Sequence, residues 1–226
     1  MEARDSKDER RFARLPAPVR HGGRALAAIV TGASGRAREE FTTALAAGVA
    51  PAALGEVARM AHLFGGFPRA LHGLQALAEA LAAAGARLPG ETETGTRSRA
   101  DDRARGEKLF RAIYREQADE VLRRIDGAAP GYAAWILEDA YGRVLARDGL
   151  TPVERELLAI VALVVLDCPA QQKSHVLGAL RLGAPLLDVR ATVELAVAEV
   201  PAAVANRARE IVEEVAKGEE GRRGRE

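Results

Sequence analysis

Helix start and stop signals punctuate this chain at short intervals, and they constrain its fold more than any other feature. Gly48 is followed by Pro51, and Gly65-Gly66 by Pro68. Glycine readily adopts the left-handed turn that ends a helix, and proline suits the first turn of the next one. Thr151-Pro152-Val153-Glu154 reads as a capping box with proline in the first helical position. Pro169 opens another helix directly after Cys168, Gly183 closes it, and Pro201 starts the last. The predicted helices are 24–31, 36–47, 51–63, 68–84, 101–125, 130–147, 152–166, 169–181, 186–199 and 202–216. No stretch alternates with strand period over more than a few residues. The expectation is an all-α protein of two packed multi-helix units.

Composition fits that reading. Apolar residues make up 48% of the 226, enough for a core in a chain this long. Only 4% are aromatic, so the core is built from Ala, Leu and Val, which suits closely packed helices. Lys plus Arg number 33 against 32 Asp plus Glu. That balance argues against a nucleic-acid partner, which calls for a clear basic excess, and against a polybasic membrane-surface protein. The longest aliphatic run, 157–166, is half of what a bilayer crossing needs. The first residues, MEARDSKDERR, contain no apolar stretch of the secretory kind. With one cysteine the chain cannot form an intramolecular disulfide. These features predict a cytoplasmic protein.

Polar composition divides the chain. Residues 1–20 and 217–226 read as disordered tails, and 89–106 as a linker. This leaves a first helical unit at 21–88 and a second at 107–216. The two share a pattern. A shift of 135 residues lays 157–183 on 22–48 without a gap, and Ala179-Leu180-x-x-Gly183 falls on Ala44-Leu45-x-x-Gly48. Spacing rather than identity carries this repeat. Units this small cannot bury their apolar stripes alone, so a face-to-face arrangement about a pseudo-twofold axis is expected.

The residues with chemical potential cluster in 141–183. Cys168 stands at a helix start. His175 is seven residues on, nearly two turns, and so shares its face. Gln171 lies between them on that face. Glu156 belongs to the preceding helix, and a short connection makes the two helices antiparallel neighbours, which brings Glu156 towards His175. A carboxylate, an imidazole and a thiol converging from two helices can do proton chemistry. Each also has a plainer reading. Cys168 fits a small buried hydrophobe, the usual state of a free cysteine. His175 fits a helix histidine bonded to a neighbouring carboxylate, and Glu156 a solvated first-turn residue favoured by the helix dipole. His62, His72 and Glu56 match no standard ligand spacing, so no metal is expected. Trp135 fits a core or subunit-interface position.

At these residues the sequence resembles the carboxymuconolactone decarboxylase family, which includes the alkyl hydroperoxidase D-like proteins. Tyr141-Gly142, Arg147-Asp148-Gly149-Leu150 and Arg155-Glu156-Leu157 look like the family's entry into its core helices. His175, with Gly183 eight residues later, matches its histidine-to-glycine helix. In the first half Gly48, Leu54 and Glu56, followed by Leu63-Phe64-Gly65-Gly66-Phe67-Pro68, are similar to its glycine turn, acidic helix and aromatic–Gly–x–x–Pro segment. The resemblance covers 21–85 and 107–200.

The resemblance implies the alkyl hydroperoxidase D-like helical fold and three site residues. Thiol-active members carry a glutamate, a C-x-x-C pair and a histidine four residues after the second cysteine. Glu156, Cys168 and His175 match the glutamate, the first cysteine and the histidine. Gln171 stands where the second cysteine belongs. Two thiols are needed to form and resolve an internal disulfide, so that redox cycle is closed within one subunit. Decarboxylase members need no cysteine pair. They remove CO2 from a carboxylated unsaturated lactone, and the carbon left behind must be protonated. His175 is the expected acid, Glu156 its orienting partner, and Arg147 or Arg155 the carboxylate clamp, with Gln171 also at the substrate. The plainer reading of either arginine is an exposed helix-end residue. Ala33 and Glu40 occupy the positions of Cys168 and His175 in the first unit. The implied function is a decarboxylase-like lyase acting on a small anionic lactone without a cofactor. The alternatives are a one-cysteine redox protein and a non-catalytic oligomeric binding protein. A homo-oligomer, a trimer above all, is the expected assembly.

Overall fold

A computed structural model describes residues 11–89 and 98–223. The remaining parts of both predicted tails, and 90–97 of the predicted linker, lie outside these residues. All regular structure among the described residues is helical. The helices are α1 (Ala17–Thr31), α2 (Ser34–Ala46), α3 (Pro51–Ala83), α4 (Arg99–Tyr114), α5 (Ala118–Ala128), α6 (Tyr132–Trp135), α7 (Pro152–Val165), α8 (Pro169–Arg181), α9 (Leu186–Val197) and α10 (Ala202–Arg223). A 3₁₀ turn at Arg115–Gln117 links α4 to α5, and α6 runs into a π-helical segment, Ile136–Leu145.

The repeat is visible as geometry. Helix α2 and helix α8 begin and end 135 residues apart. Gly48 and Gly183, which follow them, both take positive φ, 80° and 100°. Ahead of them, Gly32 at φ 89° is matched by Asp167 at φ 52°. Even the closing hydrogen bonds correspond: Ala33 N donates to Ala28 O at 2.8 Å, and Cys168 N to Leu163 O at 2.9 Å. Packing is reciprocal. Helix α1 lies on its counterpart α7, α1 also meets α9, and α7 meets α3. This is the contact pattern of a pseudo-twofold axis.

The core is aliphatic, as the composition requires. Leu157, Leu158, Ala159, Ile160, Val161 and Ala162 are all buried, so α7 is apolar nearly all round and runs through the middle. Each such Leu, Ile or Val contributes about 1.5–3 kcal/mol by leaving water. Gly106 and Gly142 set the contact between α4 and the π-segment. A Cβ on Gly106 would lie 1.9 Å from Leu137 O, and one on Gly142 2.1 Å from Asp102 O. Only glycine allows backbones this close.

Several boundaries differ from expectation, each for a local reason. Helix α3 joins two predicted helices into one element kinked at Gly66 (φ 69°, ψ −178°), with Pro68 two residues on. The predicted helix 101–125 is broken at Arg115, whose φ is +51°. The chain from residue 11 is also more structured than its charge suggests: Phe12 and Leu15, ahead of α1, and Val19 within it are buried. Helix α4 starts inside the predicted linker, where Ser98 and Asp101 form a capping box. Helix α10 continues past 216 to Arg223, held by Glu219 against Arg181.

Candidate functional site

The capping box of α7 fixes where its first turn points. Thr151 Oγ1 accepts from Glu154 N at 3.2 Å, and Glu154 Oε2 accepts from Thr151 N at 2.7 Å. The next two residues, Arg155 and Glu156, are then carried into the interior, with 1% and 2% of their surface exposed. Two adjacent buried charges need separate partners, since an unpaired buried ion is costly.

Glu156 finds His175. Its Oε2 lies 2.8 Å from His175 Nδ1. An ionised carboxylate only accepts, so Nδ1 carries the proton of this bond and Nε2 is left to face away from it. Gly178 permits the approach: a Cβ there would sit 2.6 Å from the same Oε2. The Phe64 ring, from the first half of the chain, stands edge-on to His175 with centroids 6.4 Å apart. The imidazole is partly open to solvent, at 16% side-chain exposure against 2% for Glu156.

Tyr141 feels the charge of Glu156. It is buried, its ring meets Phe110 edge-on at 4.9 Å, and its hydroxyl is 3.4 Å from that of Tyr114. Burial, then Tyr114 and the negative charge of Glu156, hold its phenol well above the ordinary tyrosine range. Tyr141 therefore remains a neutral phenol beside the carboxylate. The sequence marked Tyr141 only as part of the Tyr141-Gly142 motif and did not mark Tyr114, because their approach depends on how α4 and the π-segment pack.

The other expected site residues lie elsewhere. Cys168 is half-buried at the N-cap of α8, and its Sγ is 3.6 Å from Leu166 O. Seven residues of helix put it about 10 Å along the axis from His175. Gln171 is exposed. Its neighbour Gln172 is the buried glutamine, donating to Ala208 O at 2.9 Å. Arg147 and Arg155 come together on Glu56 of α3: Arg147 Nε donates to Glu56 Oε2 at 2.9 Å, and so does Arg155 Nη2. Arg155 Nη2 also donates to the carbonyls of Arg147 and Asp148. Its Nε and Nη1 are buried without a partner. Desolvation lowers the Arg155 pKa, and Glu56 works against that shift.

The repeat exposes one further residue. Offset by 135, Glu156 corresponds to His21 and His175 to Glu40. The first unit thus has imidazole and carboxylate exchanged. His21 is buried, and burial raises the Glu40 carboxyl while Arg24 and Arg36 oppose it. The same offset that identified Glu40 could have identified His21. No group of three or more His, Cys, Asp or Glu placed to hold a metal ion occurs among the described residues.

Comparison with known proteins falls on the same region. Residues 131–214 match the carboxymuconolactone decarboxylase family. Peroxisomal protein 2 of Schizosaccharomyces pombe is 31% identical over 120 residues, covering 53% of this chain and 55% of that protein. The chain therefore spans about half the length of this curated relative. Glu156, Cys168 and His175 all fall inside the matched segment, and the helical architecture around them agrees with it. The chain carries a carboxymuconolactone decarboxylase family domain at residues 131–214.

Proposed function

We propose that the domain is a decarboxylase-type lyase acting on a small anionic lactone or a related carboxylated metabolite, with His175 as proton donor and Glu156 as its orienting group. The 2.8 Å contact between His175 Nδ1 and a fully buried Glu156 carboxylate carries this reading. Cleavage of the C–CO2 bond leaves its electron pair on carbon, where conjugation with the lactone carbonyl spreads it. CO2 departs, and a proton must arrive at carbon. Held by Glu156 through Nδ1–H, the doubly protonated His175 ring gives its Nε2 proton to that carbon and is left as the neutral Nδ1–H imidazole, to be reprotonated from solvent. Tyr141, kept as a phenol, adds no second negative charge beside the leaving carboxylate. Arg155, next to Glu156 in the chain, keeps Nε and Nη1 without partners and is the candidate for the substrate anion.

Release of CO2 from carboxylated unsaturated lactones, compared between the unaltered chain, His175→Ala and Cys168→Ser, tests the assignment. The proposal requires loss of turnover in His175→Ala with the fold retained, and turnover preserved in Cys168→Ser. Turnover that survives His175→Ala contradicts it. A one-cysteine redox cycle is the weaker reading, because Sγ bonds a backbone carbonyl and Gln171 replaces the resolving thiol.

We also propose a homo-oligomer, a trimer, on the support of exposed Leu187, a large apolar side chain at 53%. Sedimentation velocity tests it, and a monomer at micromolar concentration contradicts it. The proposed compartment is the cytoplasm. No helix among the described residues is long and apolar enough to cross a membrane. The peroxisomal name of the relative makes co-localisation with a peroxisomal marker the result that would overturn this placement.

A further inference from the structure

We propose that a second site, a cleft of about 860 Å³ between α3 and the π-helical segment, binds a small amphipathic monocarboxylate, an acid with an aryl or alkyl body. It goes beyond the decarboxylase reading, since none of Glu156, Cys168 and His175 lines it.

Both walls leave α geometry where they face the cleft. Helix α3 bends at Gly66, between His62 and Ala70 of its lining, and the opposite wall is wound as π-turns from Ile136 to Leu145. Wide π-turns occur frequently at functional sites. One end of the cleft is cationic. Arg59 and Arg147 line it, and both hold the buried Glu56 carboxylate, at 3.0 and 2.9 Å. A guanidinium already fixed by an internal partner loses little freedom on meeting a carboxylate. His62 lines the same cleft, and its Nδ1 is buried without a hydrogen-bond partner. A polar group of a ligand would give that unpaired atom a partner.

The other lining is apolar and open. Phe67, Leu71 and Trp135 are 70%, 61% and 64% exposed. An aryl or alkyl body laid on them would remove that surface from water. Charge selects the class further. Asp102 and Asp139 also line the cleft, each facing Arg143, at 3.8 and 3.6 Å. Two carboxylates sharing one arginine repel a second negative charge on the ligand, so a monoanion fits and a polyphosphate does not.

Trp135 is the single tryptophan of the chain, so its emission reports on the cleft alone. Titration with 3-phenylpropionate should give a saturable emission change, and the neutral 3-phenylpropanamide should bind at least tenfold more weakly. Arg59→Gln should weaken the acid by a similar factor, and His62→Phe should weaken it with the Glu56 ion pairs intact. His175→Ala should leave the titration unchanged, which separates this claim from the lyase assignment. The acid-against-amide comparison on the unaltered chain decides without any variant. No saturable change with either compound overturns the proposal, as does equal binding of both. Emission that shifts with protein concentration and ignores the acid would assign the cleft to a second copy of the chain and also overturn it.

Discussion

Arg155 and Glu56 are 99 residues apart in the chain and meet at 2.9 Å, in a place where the arginine is 1% exposed. This contact ties the start of α7 to α3, and so joins the two repeated halves at the turn that also carries Glu156. Removing one partner of a buried pair strands the other charge. Glu56→Ala should destabilise the protein by about 3–5 kcal/mol. Denaturant unfolding of Glu56→Ala beside Glu56→Ala/Arg155→Met measures it. The double variant should recover part of the loss; a single variant within 1 kcal/mol of the unaltered protein would show the pair to be incidental.

Gly178 should govern the geometry of the pair at the centre of the site. Its substitution by alanine puts a methyl 2.6 Å from Glu156 Oε2 and forces the carboxylate aside. Gly178→Ala should keep its helical spectrum, shift the imidazole NMR resonances of His175 and lower turnover at least tenfold. Unchanged His175 resonances would place Gly178 outside the mechanism.

Gly106→Ala has no comparable way out. Its methyl would meet the backbone carbonyl of Leu137, which cannot rotate away. A loss of about 3 kcal/mol or more is expected, at the upper end for overpacking. Unfolding within 1 kcal/mol of the unaltered protein would contradict the tight α4–π-segment contact.

Tyr141 makes the protein sensitive to alkali. Its folded pKa is raised, so the proton is held more tightly in the folded state. The stability this contributes is complete below the unfolded value of about 10 and is lost as pH rises towards the folded one. Absorbance at tyrosinate wavelengths should show Tyr141 ionising only on unfolding. In Tyr141→Phe the step that coincides with unfolding should disappear. Tyr141 ionising in the ordinary tyrosine range while the chain stays folded would contradict this burial.

Much of this was legible because local chemistry set it. Pro169 and Gly183 bracket α8, and the Thr151–Glu154 box starts α7 where expected. The Glu156–His175 pairing followed from helical face and a short antiparallel connection. What escaped the sequence is long-range or lacks a residue code. Arg147 and Arg155 both serve Glu56, about ninety to a hundred residues away, a relation no local window contains. The π-winding of Ile136–Leu145 keeps the same apolar pattern as an α-helix. Arg115 breaks a helix at positive φ without the glycine that signals such a turn. Phe12, Leu15 and Val19 are buried inside a segment whose arginines gave it the look of a tail.

The most direct test of the account is the source and placement of the proton that replaces CO2. Turnover of a carboxylated unsaturated lactone in D2O, followed by NMR of the product, reads it. Delivery by a fixed His175 predicts one deuterium on one face of the vacated carbon, with labelled product lost in His175→Ala and sharply reduced in Glu156→Gln. Deuterium spread over both faces, or the same single-face label formed at the same rate by His175→Ala, would contradict it.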